Sequence, residues 1–509
     1  GIIENYNILK EWLEEKGHIF NSETDTEVLP HLIEEFYRGD LAEAVRAALT
    51  KIEGAFAFAV ICKDCPEEIV VARKASPLII GLGRDENMVA SDIPAVLSYT
   101  RDIYILEDGE MAVIQSDRVQ LTDFTGKAVE KGVYKVEWDV AAAEKSGYED
   151  FMLKEIHEQP KAVLDSLAGK IDRAEMKVVL PEVKLSSQAI QHLRNIRIVA
   201  CGTSYHAGLV GKYVIEKLAR IPVEIDLASE FRYRDPLMDP DTLTVIISQS
   251  GETADTLAGL REAKRLGSRV LAITNMVGSS VAREADDLIL TLAGPEIAVA
   301  STKAYTTQLL SLYLLAIYLA QQKGSLSLND RLGIVEAILN LPAQIEKVLN
   351  TETKIKEYAE NFKNSEDIFF IGRGLDYAVS LEGALKLKEI SYIHAEAYAA
   401  GELKHGTLAL IVRGVPVFAV VTQPDLYDKM VSNIKEVKAR EATVVALALA
   451  GDHETGKSVD YLLHIPLTHT MLTPILSVVP LQLFAYYAAK ARGCDVDKPR
   501  NLAKSVTVE

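Results

Sequence analysis

The feature that most restricts the possible folds is a single run in the middle of the chain. Leu243 to Ile247 is an apolar strand, and Ser248 to Glu252 is a small polar loop. Thr253 to Leu266 carries Leu257, Leu260 and Leu266 at helical spacing, Gly267 stops the helix, and Val270 to Thr274 is the next strand. Two strands joined through a helix of this length must lie parallel in one sheet, so the fold class is α/β. In such sheets ligands bind beyond the carboxyl ends of the strands, which puts Ser248 to Glu252 at the expected site.

The same grammar recurs later. Arg197 to Cys201 followed by Gly202 opens one half, and Ile368 to Ile371 followed by Gly372-Arg373-Gly374 opens another. Glu402 lies as far after Gly374 as Glu230 lies after Gly202, so two related domains are expected, over 185–335 and 350–495, with a polar tail over 496–509. Residues 1–136 read differently. Helical patterns over Asn7 to Lys16 and Val28 to Tyr37 give way to strand-like runs at Ala55 to Ile61, Ile69 to Ala72, Leu78 to Leu82 and Tyr104 to Ile114, an α+β layout. Residues 137–184, with Ala141-Ala142-Ala143 and a helical run ending at Glu158-Gln159-Pro160, read as a linker and helical lead-in.

The net charge of -18 repels phosphate backbones and anionic lipid, so neither nucleic acid nor a membrane surface is the expected partner. An anionic ligand therefore needs a local device to overcome that field. The two most apolar stretches, Leu309 to Ala320 and Ile475 to Ala489, fall short of the roughly 20 residues that span a bilayer and read as core helices. Four cysteines in 509 residues suit a reducing cytoplasm. Cys62 and Cys65 have metal-like spacing, but no second pair follows, and they read as a hairpin tip.

Ser248-Gln249-Ser250-Gly251-Glu252-Thr253 supplies hydroxyls, an amide and the unpaired N–H groups of a helix N-terminus, which suits a phosphate. It has no P-loop lysine, so a nucleoside triphosphate is not indicated. Cys201-Gly202-Thr203-Ser204 takes the equivalent turn after the first strand, and neither glycine turn completes a dinucleotide fingerprint. On the helix Leu381 to Ile390, Glu382, Lys386 and Glu389 share one face, an arrangement most often met on solvated surfaces. The next run, Ser391 to Leu410, sets His394, Glu396, Tyr398, Glu402, Lys404 and His405 in apolar text, as a lined site would. Lys504, in the polar tail, would by itself be an ordinary surface lysine.

These segments, with Ser22 to Glu27, Ala300-Ser301-Thr302-Lys303 and Pro499 to Glu509, resemble the glucosamine-6-phosphate synthase family, the isomerising glutamine:fructose-6-phosphate aminotransferases, over nearly the whole chain. The resemblance implies two sugar-isomerase (SIS) domains with parallel sheets flanked by helices, preceded by a partial α+β glutaminase domain of the N-terminal-nucleophile type. It implies fructose 6-phosphate as substrate. Cys201, Gly202, Thr203, Ser204, Ser248, Gln249, Ser250 and Thr253 would sit around the phosphate, and Val299, Ser301 and Ala503 around the sugar. Lys504 would form a Schiff base at C2, His405 would open the ring, Glu389 would carry a proton from C1 to C2, and Lys386 would hold Glu389 or stabilise charge. No metal or cofactor is expected, and a homodimer is, because in the family the counterpart of His405 reaches the neighbouring subunit.

The chain departs from the family in two places. The family's glutaminase domain starts with a nucleophilic cysteine, whereas Gly1 matches a glycine far inside that domain. Of the glutamine site only Gly1 and Asp25 would remain, so ammonia or a glutamine-handling segment on another chain would have to supply nitrogen, and this chain alone is expected to release no glutamate. Thr407 stands where the family usually has proline. Two other readings stay open: a non-catalytic SIS regulator that binds a sugar phosphate, which would have no use for the four reacting groups, and a different SIS enzyme, against which the Ser22 to Glu27 segment argues.

Overall fold

A computed structural model describes residues 1–93, 95–136 and 144–506. The chain divides into two compact units, one made of Gly1–Glu144 with the short segments Glu252–Ala254 and Val506–Glu509, the other of Lys145–Gly251 and Asp255–Ser505. The Ala141-Ala142-Ala143 stretch of the expected linker, and residues 507–509 of the expected tail, lie outside the described residues.

In the first unit the helices Tyr6–Glu15 and Val28–Phe36 form where their apolar faces predict. A third, Leu41–Leu49, escaped the sequence reading. Its start signal was nevertheless present, for the Asp40 carboxylate accepts the Glu43 N–H at 3.0 Å. One antiparallel sheet runs in the order Ile2–Ile3, Gly54–Cys62, Cys65–Lys74, Glu110–Ile114, Val119–Asp123. A second runs Asn87–Ala90, Ile79–Leu82, Asp102–Ile105, Tyr134–Lys135. The run Tyr104 to Ile114 thus belongs to two strands in different sheets, divided at the turn before Gly109, which takes φ +84°. Cys62 pairs with Cys65 across a hairpin tip, as expected.

The second unit contains two five-stranded sheets of one design. The first runs Val223–Leu227, Asn195–Ala200, Thr242–Ser248, Arg269–Thr274, Asp287–Leu290, and the second His394–Ala399, Asp367–Gly372, Pro416–Val421, Thr443–Leu449, Tyr461–Ile465. All neighbours are parallel. In each sheet the second strand in sequence lies on one side of the first and the third on the other, so the chain reverses direction across the sheet between the first and third strands. In the first sheet Ala200 lies beside Ile247, so both strands run out together at Cys201 and Ser248.

Two long helices, Lys303–Lys323 and Thr473–Ala491, lie almost wholly inside this unit. Close approach explains one glycine: a Cβ on Gly211, in the helix Gly202–Ala219, would come within 2.8 Å of Leu312 on the helix Lys303–Lys323. The segment Thr470–Ala491 has 22 residues and is long and apolar enough to cross a membrane, which corrects the shorter length read from the sequence. The difference comes from the Thr470-Met471-Leu472 turn and Pro474, which start the helix earlier. With 89% of its apolar window buried in the protein, it serves as a core helix.

Candidate active site

The edge of the first sheet is built by geometry that few residue types could satisfy. Gly251 sits at φ +67°, and a Cβ there would fall 2.1 Å from the Ser279 hydroxyl. Its N–H donates to Ser248 Oγ at 3.0 Å, folding the loop back on the strand end. Thr253 then precedes the helix Ala254–Arg265. Beside it, Thr203 and Ser204 lie in the first turn of the helix Gly202–Ala219, with Gly202 at φ +50°. Two long helices therefore begin at one sheet edge, where their N–H groups and dipoles favour an anion despite the acidic chain.

Other side chains here are held in place. Gln308 Nε2 donates to Ser204 Oγ at 3.0 Å, and Ser250 Oγ lies 3.3 Å from Ser505 Oγ of the C-terminal tail. The Cys201 thiol is 3.6 Å from the Thr256 hydroxyl, and burial pushes its pKa up, so it stays a thiol. Val299 is tied to the tail through its N–H, which donates to the Asp497 carbonyl at 3.0 Å. Ser301 is half-buried just before the helix Lys303–Lys323, and Ala503 is exposed.

The charged face on the expected helix exists, but not in solvent. On the helix Leu375–Ser391, Glu382 and Lys386 are fully buried. Lys386 Nζ lies 2.6 Å from Glu389 and 3.4 Å from Glu382, and donates to Thr203 Oγ1 at 3.1 Å. Burial alone would lower the lysine pKa, but Glu389 and Glu382 outweigh it and hold the pKa above its ordinary value. Lys386 is therefore a fixed cation. Glu382 also accepts from Thr203 Oγ1 at 3.1 Å and lies 2.8 Å from His206 Nδ1, which joins this helix to the helix Gly202–Ala219.

Lys504 is equally well held. Its Nζ contacts Glu296 at 2.7 Å and the Ala298 carbonyl at 2.8 Å. Burial raises the Glu296 pKa, but Lys504 and the N–H groups of Thr302 and Ala304 reverse that and keep it ionised. Nearby Glu155, almost fully buried, is pushed up to about 8, by burial first and then by the Glu296 charge. Glu155 accepts the N–H groups of Ile297 and Ala298 at 2.5 and 3.2 Å. Sequence reading missed Glu296 and Glu155. Glu296 sits alone in a loop, and its only signal was proximity to the Ala300 to Lys303 segment.

The run His394 to His405 does not gather as one lined site. His394 pairs with Asp367 at 2.6 Å, Tyr398 donates to Glu396, and Lys404 meets Glu436 at 2.9 Å. These are local contacts of an edge strand and the turn after it. His405 is exposed at the end of a short helical turn, followed by Gly406 at φ +146° and by Thr407, which starts the next turn. In the first unit, Asp25 accepts the Ile3 N–H at 2.7 Å, which brings the two expected glutamine-site residues to the same corner. A Cβ on Gly1 would lie 2.2 Å from the Ala55 carbonyl oxygen.

Two family models match, the SIS domain over residues 189–318 and 361–492 and the glutamine amidotransferase domain over residues 1–98. The chain is 57% identical over 509 residues to the glutamine--fructose-6-phosphate aminotransferase [isomerizing] of Clostridium tetani, covering 100% of this chain and 84% of that one. Identity to the enzyme of that name from Caldanaerobacter subterraneus subsp. tengcongensis is 58%, with the same coverage. Among solved structures, the C-terminal domain of glucosamine-fructose-6-phosphate aminotransferase from Francisella tularensis aligns with a TM-score of 0.67 and 42% identity, over 70% of this chain and 100% of that one. A glucosamine-6-phosphate deaminase from Thermotoga maritima aligns at TM-score 0.56 and 26% identity, over 70% of this chain and 99% of that one. The chain belongs to the family of isomerizing glutamine--fructose-6-phosphate aminotransferases.

Proposed function

We propose that this chain converts fructose 6-phosphate and ammonia to glucosamine 6-phosphate. The observation that carries this reading is the fixed Lys386 cation, buried between Glu389 and Thr203 beside a sheet edge suited to phosphate. A protein that only bound a sugar phosphate would gain nothing from a buried lysine set against an acid there.

In this mechanism the phosphate is held by Ser204, Ser248, Gln249, Ser250 and Thr253 with the two helix N-termini, and Cys201, Gly202 and Thr203 shape the turn. Val299, Ser301 and Ala503 line the sugar. His405 moves the proton that opens the ring. Lys504 leaves Glu296, gives up a proton and adds to the C2 carbonyl, releasing water and forming a Schiff base. Ammonia then displaces the lysine amine at C2. Glu389 takes a proton from C1 and returns it to C2, so the C1 hydroxyl becomes the aldehyde and C2 carries the new amine. Lys386 stabilises the negative charge that develops between these transfers.

The domain limits that serve this chemistry are 1–136, 137–184, 185–335, 350–495 and 496–509. We also propose a homodimer in which His405 completes the neighbouring subunit's site, a cytoplasmic setting, and neither nucleic acid nor membrane as a partner. The free cysteines and net charge of -18 support the last two.

The deciding experiment measures glucosamine 6-phosphate made from fructose 6-phosphate with ammonium or glutamine as nitrogen source. Product with ammonium is expected, and none with either source would end the proposal. In the same assay, exchange of subunits between the inactive variants His405→Ala and Glu389→Ala should restore activity. No recovery after verified exchange would remove the shared site.

A further inference from the structure

The first unit holds a group of side chains that the sugar chemistry does not use. His18 lies in the turn after the helix Tyr6–Glu15, and His31 and Glu34 lie on the helix Val28–Phe36. One potential ligand atom from each falls within 4.8 Å of the other two. The two Nδ1 atoms face each other at 3.1 Å, and Glu34 is 3.7 Å from His18 Nδ1. The far nitrogens both look at carboxylates, His18 Nε2 at Glu35 at 3.4 Å and His31 Nε2 at Glu27 at 3.8 Å.

His18 Nε2 is within hydrogen-bond reach of Glu35, whereas His31 Nε2 at 3.8 Å from Glu27 is not. The two Nδ1 atoms come from separate segments and converge at 3.1 Å with the Glu34 carboxylate beside them, the placement of three donors around one point.

We propose that this is a binding site for a divalent transition metal of the imidazole-preferring class, such as zinc, with His18 Nδ1, His31 Nδ1 and Glu34 as ligands. Metal–nitrogen distances of about 2.0–2.1 Å in a tetrahedral site place two nitrogens roughly 3.3 Å apart, close to what these rings already hold. The Glu35 and Glu27 carboxylates behind the rings are the partners that metal-bound histidines use to fix their tautomer. Both carboxylates are themselves anchored, Glu35 by Lys16 and Glu27 by the N–H groups of Asn21 and Ser22 at 2.7 Å. Phe20 packs on His31 with ring centres 4.5 Å apart. Glu34, 3.7 Å from His18 Nδ1, adds an anionic oxygen as third donor, a mixed nitrogen and oxygen set that zinc accepts. The ion would clamp both ends of the segment that carries Asp25, so its occupancy would stiffen the glutamine side of the molecule.

Cobalt(II) titration of the purified chain at neutral pH tests this. We expect the visible absorption of a four-coordinate ion at one equivalent, with no sulfur charge-transfer band, displaced by zinc. His18→Asn and His31→Asn should each weaken binding by at least about a hundredfold. Glu34 is 74% exposed, so Glu34→Gln leaves the fold intact and should weaken binding about tenfold, and Glu35→Gln about ten- to a hundredfold. No cobalt spectrum at saturating metal would overturn the proposal. A spectrum that survives both histidine variants, or one with a thiolate band that disappears in Cys62→Ser/Cys65→Ser, would overturn it equally.

Discussion

The two parallel sheets of the second unit share strand order, yet the turns after their first and third strands carry different residues. In the first, the opening turn of the helix after the first strand offers Ser204, and the loop after the third strand offers Ser248, Gln249 and Ser250. In the second, the corresponding helix turn offers Asp376, which is fully buried and accepts the Thr422 N–H at 2.7 Å as well as the Thr422 hydroxyl. An internal carboxylate thus takes up donors at the position where, on the proposed function, the first sheet meets a phosphate. On the proposed function the first seat is open to an anion, and the Asp376 side chain closes the second.

The largest effect that bears on this contrast belongs to Lys504. Lys504→Ala should lower turnover by about a thousandfold or more and abolish borohydride trapping of fructose 6-phosphate on the chain. Thr422→Val, at the closed seat, should leave trapping untouched. Labelling that persists in Lys504→Ala would show that the open seat serves a different amine.

Next comes the closed seat itself. Burial, only partly offset by hydrogen bonds from Thr422, moves Asp376 from 3.8 up to about 6. The folded chain therefore keeps a proton that the unfolded chain has released, and the parent loses stability as pH rises from about 4 to about 6. This contribution is worth up to about 3 kcal/mol. Asp376→Asn should accordingly gain on the parent across that window in paired melting curves. A constant difference between the two would mean that Asp376 is ionised throughout and that the seat is more open to solvent than its burial implies.

The smallest effect sharpens the open seat. Ser248→Ala and Ser250→Ala should each weaken fructose 6-phosphate binding by roughly 1.5–3 kcal/mol, a factor of about ten to a hundred. Unchanged calorimetric affinity in both would move the phosphate away from this loop.

How much of this was legible beforehand depended on distance along the chain. The βαβ pattern around Leu243 to Thr274 and the recurrence from Ile368 rest on local periodicity, and both appear at the expected places within a residue or two. The shared face of Glu382, Lys386 and Glu389 was legible as geometry. Its burial was not, because spacing of three and four residues looks the same on a wet or a dry helix face, and what covers this one is a helix from the other SIS domain. Asp376 gave no signal at all, since a lone aspartate in a first helical turn reads as an ordinary favourable charge there. The pairing of Lys504 with Glu296 was hidden for the same reason, as the partners are 208 residues apart.

That separation also bears on how the molecule matures. The crossings within each sheet are short, and each five-stranded sheet can close from its own neighbourhood in the chain. The bonds that tie Thr203 and His206 to Glu382, and Thr203 to Lys386, join partners 176 to 183 residues apart. Closing such long loops is slow, and it rewards the chain only after both ends are already ordered. Chemistry should therefore be the last property this protein acquires as it folds, arriving after the secondary structure is in place and only when two finished domains dock.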